Sequence, residues 1–389
     1  MVLFKEFKLD FYLDKYADLI ISSALKLRKG DVLSINTEEE NSEFAHLLAL
    51  KAAKITGNGS FINYIKDGKV EDVEETATEY PINRKPTALL YIPSYKSYPD
   101  AEEGKSYSAP ELQSYRLLSE PLSNQIPSIP YATAYMPSDT WSSVFGDDYE
   151  LSSFSNISEL FSLEEDMPER IIEENSRILR YEREKLNRLS LVRGRLYSDD
   201  GVDISLEFLP GSSFEITEEM TSDGRSFVPT LFSSEIFRAL DKTKTNGYVN
   251  ITKPMMLFGH VINSLSIVFE NGKVREFSCY EENGKLFNDF IAQDQNAAYA
   301  SELILAENSG SAASIDFFAL PEWDRMRGTG LVLGGARGKG LSDEALEKAN
   351  DSLVYLYLPL SSSSLTFAAE DKDGNEYTVL EDGMITEEE

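Results

Sequence analysis

The spacing of apolar residues changes near residue 190, and this change limits the folds that are open to the chain. Before it, apolar residues at helical spacing alternate with short apolar runs such as 60–65 and Ala88–Ile92, and a long charged helix is predicted over Pro168–Leu189. Strands that alternate with helices are typical of a parallel sheet. The sequence therefore predicts an N-terminal α/β domain over residues 1–190.

Beyond this point the apolar residues follow the two-residue period of a strand. They alternate strictly with polar residues over 202–208, which predicts a strand with one solvated face. Asn271 and Gly272 separate two apolar runs, and both tolerate the positive φ that a two-residue hairpin turn requires. A helix is predicted over 285–306. Residues 191–389 are therefore predicted to form an α+β domain with an antiparallel sheet.

The charge of the chain excludes one class of partner. The chain has 37 Lys and Arg residues against 67 Asp and Glu residues, for a net charge of −30. A surface that binds the phosphates of a nucleic acid needs a basic face, so no nucleic-acid partner is expected. The opening residues carry charges where a signal peptide needs an apolar core, and no apolar run reaches the roughly 18 residues of a membrane span. We therefore expect a cytoplasmic protein without a membrane partner.

Cysteine and histidine are too scarce for most transition-metal sites. The chain has one Cys and two His residues, His46 and His260. These numbers exclude a disulfide framework, a Cys-based zinc site and a histidine-rich metal site, so carboxylates would have to hold most of any metal. Asp316, Glu322 and Asp324 lie close together in sequence and form one such candidate set, suited to Mg²⁺, Ca²⁺ or Mn²⁺.

Several sequence blocks, spread over most of the chain, resemble one family in their order and spacing. The blocks are 15–20 (KYADLI), 130–137 (PYATAYMP), 201–206 (GVDISL), 224–227 (GRSF), 252–254 (TKP) and 300–303 (ASEL). Together they resemble the M29 metallo-aminopeptidases, also called thermophilic aminopeptidases. The resemblance implies an N-terminal α/β domain, a C-terminal domain that carries the active site, and a homodimer.

The same resemblance implies a reaction and a set of metal ligands. In the family, two divalent metals such as zinc or cobalt activate a water that attacks the N-terminal peptide bond of a peptide substrate. The ligands are two Glu, one His and a His-x-Asp pair, and a Tyr follows the first His by seven residues. Glu235 and Glu302 align with the two Glu ligands. Glu302 is also the candidate catalytic residue.

The remaining ligand positions hold other residue types in this sequence. Gly330 stands where the family has its first His, and Tyr355 and Tyr357 stand at the His-x-Asp pair. Arg337 stands at the position of the catalytic Tyr. Glycine has no side chain, and neutral phenols are poor ligands for zinc or cobalt. Three of the five ligands are therefore replaced, and we expect no tightly bound metal cofactor.

Neither histidine of the chain lies at a replaced position, so both are interpreted as surface or loop residues. Three functions are compatible with the sequence. The chain could be a metallo-aminopeptidase, a non-catalytic dimeric protein that keeps the fold for binding or structure, or a protein whose cavity serves a metal-independent or oxygen-ligand reaction. An alternative for Glu235 and Glu302 is an ion pair with Arg337 or another arginine.

Overall fold

The computed structural model of the chain describes residues 2–66, 68–77, 79–81, 85–145, 153–231, 234–360 and 362–386. Contacts between residues divide the chain into two units. Unit 1 comprises Met1–Lys96, Ile126–Arg177 and Thr217–Ser233, and unit 2 comprises Ser97–Gln125, Ile178–Ile216 and Ser234–Glu389. The predicted domains 1–190 and 191–389 stay a prediction, because a contact unit is not the same thing as a separately folding domain.

The helices include the long charged helix that the sequence predicted, with the predicted bounds. The α-helices in the described ranges are α1 (Val2–Leu19), α2 (Ser42–Thr56), α3 (Ala109–Ser114), α4 (Asp139–Ser142), α5 (Ser153–Leu160), α6 (Pro168–Leu189), α7 (Glu281–Ile291), α8 (Gly310–Ser314), α9 (Pro321–Asp324) and α10 (Asp343–Leu346). Within these ranges, no helix combines the length and the apolar character that crossing a bilayer requires.

Among the described residues, the strands form two sheets of five strands, one of eight and two of two. They are β1 (Leu33–Thr37), β2 (Ser60–Lys66), β3 (Lys69–Thr76), β4 (Ala88–Ile92), β5 (Tyr131–Thr133), β6 (Leu191–Ser198), β7 (Val202–Glu207), β8 (Glu215–Ile216), β9 (Glu219–Met220), β10 (Ser226–Phe227), β11 (Ile236–Ala239), β12 (Asn246–Ile251), β13 (Met255–Leu257), β14 (His260–Ile262), β15 (Leu265–Glu270), β16 (Lys273–Cys279), β17 (Ala300–Leu305), β18 (Gly330–Gly334), β19 (Tyr355–Pro359), β20 (Thr366–Asp371), β21 (Glu376–Glu381) and β22 (Met384–Ile385).

Unit 1 contains a mostly parallel sheet in the strand order β3-β2-β1-β4-β5. β1 pairs in parallel with β2 and β4, β4 pairs in parallel with β5, and β3 is the antiparallel edge strand. Helix α2 packs against β1 and β2, where Leu33, Ile35 and Ile62 are buried. It ends at Gly57, whose φ of 74° is the left-handed conformation that favours glycine after a helix. The predicted parallel α/β architecture is confirmed.

Unit 2 is built on antiparallel sheets, as predicted. The strand orders are β19-β18-β17-β11-β8 and β16-β15-β12-β7-β6-β20-β21-β22. One hydrophobic core joins side chains of both sheets, including Ile204 and Phe367 of the larger sheet and Leu303 of the smaller one. Asn271 and Gly272, with φ of 52° and 78°, form the predicted turn between β15 and β16.

The predicted helix over 285–306 is wrong in its second half. Helix α7 ends at Ile291, and residues Ala300–Leu305 form the strand β17. All six residues of β17 are buried, and its two polar residues, Ser301 and Glu302, are adjacent in sequence, so no two-residue period of polar positions appears. A short run that is buried on both sides gives a helix and a strand the same apolar signature.

Candidate functional site

The positions that align with the family's metal ligands come together on the smaller sheet of unit 2. Glu302 lies on β17, Gly330 opens β18, and Tyr355 and Tyr357 lie on β19. Glu235 directly precedes β11. These strands are neighbours in the sheet, so residues up to 122 positions apart in sequence lie side by side.

Strand register places these positions on the same face of the sheet. Across the strands, Ala239 pairs with Glu302, Glu302 with Val332, and Val332 with Tyr357. Side chains alternate between the two faces of a strand, so the intervening residues point the other way. Those residues, such as Leu303, join the hydrophobic core shared with the larger sheet. The face that carries Glu302 is thus separate from the main core.

Arg337 bridges the two glutamates on this face. Its Nη1 donates to Glu235 Oε1 at 2.7 Å, and its Nη2 lies 2.9 Å from Glu302 Oε2. The Arg337 Nε donates to the same Glu302 oxygen at 3.0 Å, and its backbone N–H donates to Glu302 Oε1. Both glutamate side chains are only 2% exposed. The ion pair that the sequence left open as an alternative is therefore present in the structure.

Two residues that the sequence analysis did not single out complete the cluster. Arg325 Nε lies 3.6 Å from Glu235 Oε2, and its side chain is 9% exposed. The Phe237 ring lies under the Arg337 guanidinium, 3.3 Å from its carbon to the ring centroid. Phe237 could have been found from its position two residues after Glu235, which places both on the same face of an extended chain. Arg325 contacts Glu235 only because the fold brings the two residues together, and the sequence around Arg325 does not predict this contact.

Two carboxylates and two guanidiniums balance the charge of this cluster, which we call the Arg–Glu cluster (Glu235, Glu302, Arg325, Arg337). Burial lowers the pKa of Arg337, but the nearby carboxylates of Glu302 and Glu235 outweigh burial and hold that pKa above its usual value. The same opposition applies to Arg325. Burial lowers its pKa, but the nearby Glu235 carboxylate and other groups outweigh burial, so the pKa lies above its usual value. Both arginines are therefore charged at neutral pH.

Gly330 and Tyr357 fit each other across neighbouring strands. A Cβ on Gly330 would lie 2.4 Å from the Tyr357 ring atom Cε2 and 2.5 Å from the Leu358 carbonyl oxygen. The ring therefore occupies the space that a side chain at position 330 would need. The Tyr357 hydroxyl donates to the Gly328 carbonyl at 2.6 Å, so its polar end is satisfied within the protein.

Comparison with known proteins identifies the family. The profile of the thermophilic metalloprotease (M29) family matches residues 100–385. The chain belongs to the M29 family. Aminopeptidase PepS of Streptococcus thermophilus and Aminopeptidase 2 of Geobacillus stearothermophilus are each 24% identical to it, over 95% of this chain and 97% of each relative. The resemblance drawn from the sequence blocks is confirmed.

Solved structures show the M29 fold. Wild-type AmpT from Thermus thermophilus superposes with a TM-score of 0.75 at 18% identity, over 96% of this chain and 99% of that chain. The 2,5-dihydroxypyridine dioxygenase from Pseudomonas putida KT2440 matches with a TM-score of 0.53 at 9% identity, over 98% of this chain and 97% of that chain. A fold that also carries a dioxygenase does not by itself determine the chemistry, so the side chains must decide it.

The residues at the positions that the sequence analysis assigns to the family's metal ligands do not offer the donors of a two-metal centre. Gly330 offers no donor atom, and burial raises the pKa of Tyr357 far above its usual value, so this phenol is not an anionic ligand. The carboxylates of Glu235 and Glu302 already bind Arg337. In the part of the chain that the structure describes, no group of three or more His, Cys, Asp or Glu residues is placed to hold a metal.

The other candidate residues have structural partners. Asp324 accepts hydrogen bonds from the backbone N–H groups of Phe318 and Leu320 and pairs with Arg327 at 3.0 Å. Burial nevertheless raises the pKa of the Asp324 carboxyl to about 6, against the opposing effect of Arg327 and the two N–H groups. Asp316 and Glu322 do not join it in a metal-binding group of described residues.

The two histidines are not members of the Arg–Glu cluster. His46 lies on α2 in unit 1, where its Nε2 is 2.9 Å from Glu74 Oε1. His260 opens the short strand β14 in unit 2 and is exposed. The interpretation of both as surface residues agrees with these positions.

Proposed function

We propose that this M29 protein does not release N-terminal residues by the two-metal mechanism and serves instead as a non-catalytic binding protein on the M29 fold. The single observation that supports this proposal is the position of the Arg337 guanidinium between Glu235 and Glu302. A cation shared by these two carboxylates would need to approach their oxygens to about 2.0–2.2 Å. The guanidinium already occupies the space between them.

Metal analysis and a peptidase assay together test the proposal. The purified chain is dialysed against Zn²⁺ or Co²⁺, its bound metal is measured by elemental analysis, and release of ammonia from leucine amide is followed. Aminopeptidase 2 of Geobacillus stearothermophilus, treated in parallel, is the positive control. We expect substoichiometric metal and no metal-stimulated turnover. Stoichiometric metal with chelator-sensitive turnover would overturn the proposal.

A variant separates genuine activity from contamination. If turnover is seen, Glu302→Gln should abolish it when the family's centre operates here, because that carboxylate is the candidate catalytic and metal-binding residue. Turnover that survives this change comes from a contaminating peptidase. The homodimer implied by the family and the cytoplasmic location expected from the sequence stay predictions, and sedimentation velocity of the full chain measures the first.

A further inference from the structure

A segment of unit 2 lies across the loop that follows β18. At one end of this segment, the Ser119 N–H donates to the Leu353 carbonyl at 2.8 Å, next to the start of β19. Near the other end, Asn124 Nδ2 donates to the Leu341 carbonyl at 3.3 Å. We call residues 119–125 the strap. The strap is thus attached near both of its ends.

Two glycines of the loop after β18 allow the strap to approach it closely. A Cβ on Gly335 would lie 2.8 Å from the Ser119 Cβ, and a Cβ on Gly338 would lie 2.5 Å from the Ser123 main-chain N. Both distances are shorter than the van der Waals contacts of packed atoms. Arg337 lies between these two glycines in the sequence. The strap therefore contacts the loop on both sides of Arg337.

The loop under the strap positions Arg337 in the Arg–Glu cluster. The backbone N–H of Arg337 donates to Glu302 Oε1, and its side chain donates to both Glu302 and Glu235. A displacement of this loop would break the backbone hydrogen bond and move the guanidinium away from the carboxylates. The strap thus contacts the segment whose position keeps the two carboxylates buried.

The strap itself has few contacts that hold it in place. Residues 120–125 form no hydrogen bond between main-chain atoms with the part of the chain that the structure describes. Five of these six residues are exposed, and the sixth, Leu122, packs against a small core that contains Ala336 and Leu341. The buried Ser119 hydroxyl has no hydrogen-bond partner among the described residues, so detachment would return it to water. Segments of this kind open locally at a lower free energy than the rest of a fold.

We propose that the strap is a gate over the Arg–Glu cluster. While Leu122 is packed, the loop holds Arg337 between the two glutamates, and when the strap detaches, the cluster opens to water and to solutes. A ligand that binds only the open cluster shifts the strap toward the detached state. This inference holds whether or not the chain hydrolyses peptides, because it concerns access to the cluster and not the reaction there.

Hydrogen exchange of the full chain, followed by mass spectrometry, tests the gate. The reporting group is the Arg337 N–H, which is protected while it donates to Glu302. Leu122→Asp removes the apolar contact of the strap and changes no residue of the Arg–Glu cluster. We expect this variant to speed exchange at Arg337 at least about tenfold, because the strap detaches more often.

Leu346→Asp is the matched control. Leu346 is partly buried against the same small core as Leu122, but it lies on α10 and not on the strap. We expect this variant to leave exchange at Arg337 within about twofold of the wild-type rate. The amides of β17 report unfolding of the whole sheet. Equal acceleration at Arg337 in both variants, or an acceleration that β17 shares, would overturn the proposal.

Carboxyl labelling with a carbodiimide and glycine ethyl ester measures access to the cluster directly. The internal reference is Glu344, whose side chain is 79% exposed. We expect Leu122→Asp to raise the labelling of Glu235 and Glu302 at least about fivefold and to leave that of Glu344 unchanged. Unchanged labelling of both buried glutamates would show that the strap does not control access, and would overturn the proposal. Leu122→Ala, a milder change, replaces Leu122→Asp in both experiments if that variant does not fold.

Discussion

The two five-stranded sheets differ in what they bury. In unit 2, the sheet face with Glu302 encloses four charged side chains, and the two glutamates are 2% exposed. In unit 1, the sheet face with Leu89 leaves aliphatic and aromatic side chains 36–52% exposed. Proteins usually bury apolar groups and expose charges. Both faces depart from this pattern, and each departure has a different meaning.

The buried charges pair with one another within unit 2. The Arg–Glu cluster is neutral overall, and such a cluster needs neither a metal nor a ligand. The sheet face with Leu89 keeps part of its apolar area in contact with water. One face thus departs from the usual pattern by burying paired charges, and the other by leaving apolar side chains partly exposed.

The largest expected effect comes from breaking the Arg–Glu cluster. Arg337→Met leaves Glu235 and Glu302 close together without their shared counter-charge, and removing one partner of a buried pair costs about 3–5 kcal/mol. Urea unfolding of the full chain measures the loss. Arg193→Met is the control, because the Arg193–Glu370 pair is exposed, and we expect no measurable change.

If Arg337→Met and Arg193→Met lose the same free energy of unfolding, the buried ion pair is no more important for stability than the exposed one, and the comparison is contradicted. The same variant also tests the former role of the glutamates. If Glu235 and Glu302 keep the geometry of metal ligands, added Zn²⁺ or Co²⁺ should raise the unfolding midpoint of Arg337→Met and leave that of the wild type unchanged. A midpoint that does not respond in either protein counts against their assignment as residual ligands.

A smaller effect is expected at Gly330. Gly330→Ala places a methyl group against the Tyr357 ring and the Leu358 carbonyl, and overpacking of this kind costs about 1–3 kcal/mol. Gly284→Ala on α7 is the control, because its Cβ would meet no atom closer than 3.7 Å and alanine favours a helix. If Gly330→Ala leaves the free energy of unfolding unchanged, the Tyr357 ring and the Leu358 carbonyl can move to make room for the methyl group.

The contact at Gly330 also bears on restoring the family's ligands. Changing Gly330→His, Tyr355→His and Tyr357→Asp together removes the ring but leaves the Leu358 carbonyl 2.5 Å from the new Cβ. We therefore expect the triple variant to bind no stoichiometric metal.

The smallest expected effect concerns His46, on the helix that covers the other face of the parallel sheet. The hydrogen bond to Glu74, and then that to the Ser42 carbonyl, raises the pKa of His46 above its usual value. The charged pair thus stabilises the fold fully below about pH 6.5, and this stability is lost as pH rises through the higher pKa of the folded state. The pair is about two-fifths exposed, so the change should be a few tenths of a kcal/mol.

Urea unfolding at pH 6 and pH 8 measures this dependence. His46→Gln and Glu74→Gln should each flatten the pH dependence by the same amount, since either change removes the pair. A wild-type stability that rises between these two pH values at the same salt concentration would contradict the assigned sign.

The sequence predicted local structure well where a single residue type determines the backbone. Asn271 and Gly272 adopt the positive φ that the hairpin turn requires, and α6 has the predicted bounds. The sequence failed at β17, where both faces are buried and the two polar residues, Ser301 and Glu302, are adjacent and show no strand period. The period of apolar residues shows which side chains face solvent. A strand with no exposed side chain therefore lacks this signal and is hard to distinguish from a helix.

The candidate site was predicted in part. The family resemblance selected Glu235, Glu302 and Arg337, and strand register brings them together. It could not select Arg325, because its contact with Glu235 joins residues 90 positions apart through the topology of the sheet. A family resemblance selects residues at fixed positions in the sequence. It does not select a counter-charge such as Arg325, whose contact with Glu235 depends on the fold.

The division of unit 1 into three segments has a consequence for synthesis on the ribosome. Asp31, whose side chain is only 7% exposed, receives a bidentate ion pair from Arg225, which follows it by 194 residues. At about 5–20 residues per second, translation takes roughly 10–40 s to supply this arginine. Until then the nascent N-terminal segment must leave this carboxylate hydrated. The first unit to begin emerging therefore completes its folding only after part of the second has been synthesised.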